Sequence, residues 1–131
     1  MSDMMGHFTL IGEDFDPDYV SKKLGIKPSQ VRLKGELLKN GNVFNHTEWG
    51  IDTVIFENID FSTLQEALYS KINCGNDVLR EVSEVCKARW NILFYIGIRE
   101  LQPPILHFSP EQMDFFGQIN AVVGFDIYAY L

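Results

Sequence analysis

Apolar and polar side chains alternate over residues 7–12. Phe8 and Leu10 face one way and His7, Thr9 and Ile11 the other, which predicts a strand. The pattern then changes period. Asp16 stands as an N-cap, Pro17 fills the first helical position, and Phe15 and Val20 are spaced as a hydrophobic staple. Gly25 ends the turn pattern, with Ile26 placed to fold back, so a short helix is predicted over about residues 17–24. Residues 27–45 break every period through Pro28, Gly35 and Asn40-Gly41-Asn42, and read as a long irregular connection.

Alternation returns at 46–52, with Thr47, Trp49 and Ile51 on one side and His46, Glu48 and Asp52 on the other. Ser62 to Gln65 has capping-box spacing, and Leu64, Leu68 and Ile72 follow at helical intervals. Cys74-Gly75-Asn76 breaks that helix, and Val78, Val82, Val85 and Cys86 mark another reaching about Arg89. Residues 90–98 form the clearest strand, with Ile92, Phe94, Ile96 and Ile98 opposite Asn91, Leu93 and Tyr95. After Pro103-Pro104, residues 105–108 are expected to be a short strand pairing antiparallel with it. Phe108, Ser109, Pro110 and Gln112 repeat the staple, cap and proline of the first helix, predicting a helix over 110–120. Residues 123–131 close as a strand, with Val123, Phe125, Ile127 and Ala129 inward and Asp126, Tyr128 and Tyr130 outward.

The order β-α-β-α-α-β-β-α-β predicts an α+β fold of two layers, a mostly antiparallel sheet with helices on one face. With 131 residues, the chain is expected to form one domain, 1–131, large enough to bury a core without staples.

Composition narrows the function classes. The formal net charge of −7 disfavours a sequence-independent nucleic-acid binder, which needs several cations on phosphate, and suits a basic partner instead. Charge is uneven: residues 1–18 hold five acids and no Lys or Arg, whereas Lys27, Arg32, Lys34 and Lys39 cluster against Glu36 alone. No run approaches the roughly 18 apolar residues of a membrane span, and no secretory pattern is read at the N-terminus. Cys74 and Cys86 offer neither a disulfide framework nor a metal quartet, which points to reduced thiols and a cytoplasmic setting.

Asp14, Asp16 and Asp18 alternate like the start of a calcium loop, but Tyr19 and Gly25 occupy positions that need glycine and a bidentate acid. His7, His46 and His107 have no ligand spacing, and no nucleophile elbow or phosphate loop is present. No catalytic residue, metal or cofactor is therefore expected. Two features remain. Arg32, Lys34, His46 and Trp49 lie in and beside the basic connection, where they could contact an acidic ligand or a partner. Tyr95, Tyr128 and Tyr130, with Thr9, Ile11 and Leu93 and flanked by Glu48 and Asp126, would line the sheet face that the helices leave open.

Three segments, FTLIGEDFDPDYVSKKLGIKPSQVRLKG, FSPEQMDFFGQINA and VGFDIYAYL, resemble the bacterial family named domain of unknown function 4279. The resemblance spans nearly the whole chain and rests mostly on structural punctuation. It implies the fold and brings no catalytic residues. Small acidic domains of this kind also look like immunity proteins of toxin systems. The reading is a bacterial cytoplasmic protein-interaction module, more in keeping with a binding protein than an enzyme. Its partner would be another protein, basic in character, with a homodimer also open and neither membrane nor nucleic acid expected. The alternative is a small acidic-ligand binder or enzyme using a pocket beside residues 27–45.

Overall fold

A computed structural model describes residues 2–99 and 101–130. In chain order the elements are β1 (Ser2–Gly12), α1 (Pro17–Leu24), β2 (Gln30–Arg32), β3 (Thr47–Asp52), β4 (Phe56–Glu57), α2 (Phe61–Tyr69), α3 (Asn76–Cys86), β5 (Ala88–Ile98), α4 (Pro110–Gln118) and β6 (Val122–Ala129). The sheet runs β2-β3-β1-β5-β6, with β4 pairing the start of β1. All pairs are antiparallel except β5 with β6, which the α4 crossover makes parallel. The fold is thus the α+β class read from the pattern.

β1 is the axis. Met4, Phe8 and Leu10 enter the core from one face, where they meet Trp49 and Ile51 of β3 and Trp90, Ile92, Phe94 and Ile96 of β5. Helical residues Val20, Leu24, Leu64, Leu68, Leu79, Val82 and Phe116 close this core from above. Two glycines let neighbours approach: a Cβ on Gly6 would meet Leu68 Cδ2 at 3.1 Å, and one on Gly12 would meet Ala88 Cβ at 2.7 Å. The Gly12 contact cannot relax cheaply, because Ala88 has no further torsion to turn. Gly12→Val should therefore cost about 1–3 kcal/mol, measured as a lower urea midpoint at unchanged slope.

Local signals hold closely in two helices. Asp16 Oδ1 accepts from the Asp18 N–H at 3.0 Å, and Gly25 takes φ 69° past the end of α1. In α4 the Ser109 Oγ accepts from Gln112 N–H at 3.1 Å while Gln112 Oε1 accepts from Ser109 N–H at 2.7 Å, a complete capping box. α2 differs from the pattern. It starts two residues earlier, capped by Asp60, whose Oδ1 accepts from Thr63 N–H at 2.7 Å. Gln65 is thereby freed from any cap, and its buried amide donates to the His107 carbonyl at 3.2 Å and accepts from Tyr69 Oη at 3.1 Å. Burial raises the Tyr69 phenol pKa.

Three strand expectations are corrected. β1 begins at Ser2 because residues 2–6 gain partners in residues 94–98, and β5 at Ala88 because Ala88 and Arg89 pair with Gly12 and Ile11, none of which local pattern reveals. The connection 27–45 is more regular than its composition suggests. It carries β2, and residues 35–44 form a tight hairpin with a Leu37–Val43 bridge and Gly41 at φ 89°. Residues 105–108 form no strand. Phe108 turns into the core against Phe61, Phe94, Phe116 and Phe125, and β6 takes the place beside β5. Pro103 and Pro104 also lack the N–H groups that a ladder requires.

A candidate interaction face on the open side of the sheet

Because side chains alternate across a strand, the residues interleaved with the core positions share the opposite face. Register places them in rows. One row reads Gln30, Gly50, Thr9, Asn91 and Val122 from edge to edge, and the next Asp52, His7, Leu93 and Gly124. Gly50 and Gly124 lack side chains at these points, and the result is a shallow depression of about 430 Å³. Its walls include His7, Gln30, Glu48, Asn91, Leu93 and Val122. His7 Nδ1–H donates to Asp52 Oδ1 at 2.7 Å, one β3 neighbour over, which fixes the imidazole plane on the sheet.

Beyond this depression lies the tyrosine cluster. Tyr95 and Tyr130 join their hydroxyls at 2.6 Å, and the Tyr95 and Tyr128 rings lie 5.3 Å apart. Tyr128 Oη donates to Asp126 at 3.2 Å. Arg99 covers the Tyr130 ring at 4.3 Å while its Nε donates to Asp3 Oδ2 at 3.0 Å. Gly97 makes room for this stack, since a Cβ there would sit 3.1 Å from the Tyr130 ring. The rings are held yet open to solvent: Tyr128 is 47% and Tyr130 49% exposed, and nearby Leu93 is 39% exposed.

The hydroxyl bond to Tyr130 and the nearby charges push the Tyr95 phenol up to about 12. The sign follows: a folded pKa above the ordinary 10.0 favours the protonated folded state below pH 10 and loses that advantage as pH rises towards 12. A tyrosinate absorbance titration should show late phenols from Tyr95 and Tyr128 besides the buried Tyr69, and Tyr130→Phe should return that of Tyr95 towards the ordinary range.

The basic group foreseen beside residues 27–45 divides. Arg32 lies on the open face in register with Glu48 and packs over Phe44 at 5.8 Å. His46 joins the same group, 4.9 Å from the Phe44 ring, with Nε2 3.0 Å from Glu48 Oε1. Lys34 turns away, its Nζ donating to Glu13 Oε1 at 3.4 Å. Trp49 belongs to the other face and is fully buried, its indole N–H donating to Ser21 Oγ at 2.9 Å. The four therefore form no common pocket, and Trp49 is removed as a contact residue. Its place in the strand alternation with Thr47 and Ile51 is the reason. Phe44, His7, Asp52, Gln30 and Asn91 join the open face without having been singled out for it. Strand alternation already set His7 with Thr9 and Ile11, Asp52 with Glu48, and Asn91 with Leu93 and Tyr95; the sheet order, which sets β3, β1 and β5 side by side, is what joins them into one face.

A larger hollow of about 560 Å³ lies at the start of α2. Its titratable lining among the described residues is Asp60, already used as a cap, and His107. Among the described residues no group of three or more His, Cys, Asp or Glu could hold a metal ion, and no helix is long and apolar enough to cross a membrane.

No curated protein and no solved structure matches this chain. The family described as Domain of unknown function (DUF4279) matches residues 4–130, and the chain belongs to that family.

Proposed function

We propose that this chain is a non-catalytic protein-binding domain of the bacterial cytoplasm, working through the open sheet face. The carrying observation is the tyrosine cluster, three rings locked in place by hydrogen bonds and an arginine stack, with Tyr128 and Tyr130 half open to water. Such rings bind at low entropic cost, because little freedom remains to be lost on docking. The depression beside them offers a seat for one partner side chain, and Glu48 on its wall favours a basic one. The net charge of −7 acts in the same direction over longer range, speeding encounter with a basic protein. The free thiols Cys74 and Cys86 suit a reducing compartment.

The test is capture from a lysate of the source cells, quantified for wild type and for Tyr95→Ala/Tyr128→Ala/Tyr130→Ala. The variant's fold is checked first by circular dichroism. A basic protein enriched by wild type, lost from the variant and released by moderate salt is the expected result. Equal capture by both forms, or nothing above background with wild type, would overturn the reading.

A further inference from the structure

The sheet's two edges are finished differently. On one side lie β2, with three residues, and β4, with two, both too short to template another strand. On the other lies β6, eight residues long, and among the described residues nothing bonds its outer side. It contains no Lys, Arg or Pro, and Asp126 is its one charge. Side chains on both its faces are open: Phe125 at 39% and Ile127 at 49% on the helix side, Val122 at 44% and Tyr128 at 47% on the other. A long, mostly apolar edge with a single charge and no lysine, proline or bulge is what sheets ordinarily avoid, unless something covers it.

The phase of the strand defines what would fit. Tyr130 N–H bonds inward to the Ile98 carbonyl at 2.8 Å. Strand alternation then turns the backbone of Tyr128, Asp126 and Gly124 inward, and that of Val123, Phe125, Ile127 and Ala129 outward. We propose that this outward edge pairs antiparallel with β6 of a second copy of this chain, about a two-fold axis through Ile127. In that register Ile127 meets its own copy and Phe125 meets the partner's Ala129, both as doubly bonded pairs. Asp126 meets the partner's Tyr128, whose hydroxyl is already turned to a carboxylate. An axis through Asp126 would oppose two carboxylates. One through Phe125 would place Asp126 against glycine, with no donor. The self-repulsion expected of two acidic chains has only Asp126 as its source within this strand. The pairing is isologous and closed, so it stops at a dimer with one continuous sheet. This inference stands independently of the role assigned to the tyrosines.

Sedimentation equilibrium of the purified chain, at concentrations on the order of 100 µM and downwards, tests it. Wild type should show about twice the chain mass of 15.1 kDa. Ile127→Lys should raise the dimer dissociation constant at least about a hundredfold by removing two apolar side chains from the interface and placing like charges across the axis. A monomeric wild type overturns the proposal, whether or not its edge captures another protein's strand. A folded Ile127→Lys that stays dimeric overturns it too. Should Ile127→Lys fail to fold, cysteine cross-linking decides, because paired Cα atoms about 5.5 Å apart suit a disulfide. Ile127→Cys should oxidise to a covalent dimer above the background of the native thiols. Val122→Cys, whose two copies lie at opposite ends of the paired strands in this register, should not. Absence of the first product, or equal yield of the second, overturns the register.

Discussion

Trp49→Ala should lower the stability of this protein by about 3–5 kcal/mol, a large part of the 5–15 kcal/mol typical of a domain. Urea unfolding followed by circular dichroism measures it. The indole is fully buried, with its ring centre 6.1 Å from that of Trp90 and its N–H on Ser21 of α1. Truncation would open a void where β3, β5 and α1 meet, and neighbours pinned by the sheet cannot collapse into it. Trp49→Phe separates the contributions. It keeps most of the packing and gives up the hydrogen bond to Ser21, so it should cost nearer about 1–2 kcal/mol. A stable Trp49→Ala chain that had merely lost a binding property would contradict this structure.

The pair Tyr128→Ala/Tyr130→Ala should behave in the opposite way. The melting temperature should move by no more than a few degrees, because both rings are half exposed and neither fills the core. Affinity for the captured partner should fall at least about thirtyfold, as it does when aromatic anchors are removed from the centre of an interface. Tyr95 adds a contrast. Tyr95→Phe keeps the ring that stacks on Tyr128 and removes only the hydroxyl that orients Tyr130, so its loss should be smaller. Isothermal titration of the partner against wild type and these two variants gives the ranking. A pair variant that binds as tightly as wild type would move the working surface away from this end of the sheet.

Elements whose causes lie within a few residues were legible from local pattern. α1 follows from Asp16, Pro17 and Gly25, and α4 from Ser109, Pro110 and Gln112, because a cap and its receiver are covalent neighbours. Strand alternation likewise told which residues share a face, and so set Tyr128 and Tyr130 against Phe125 and Ile127 before any partner strand was known. It also opposed Trp49 to His46, and grouping them in one pocket overrode a signal that was present. Other choices belong to the tertiary structure alone. Asp60 displaces Ser62 as the cap of α2 because the buried Gln65 is taken by the carbonyl of His107, from another part of the chain, and by Tyr69 one turn on. β6 rather than residues 105–108 lies beside β5, because Phe108 is worth more in the aromatic core than in a ladder its prolines weaken. The row that brings Asp52, His7 and Leu93 together exists only once β3, β1 and β5 are side by side. Backbone pairing is nearly indifferent to sequence, so which strands become neighbours is decided by what their side chains bury, a sum over residues far apart in the chain.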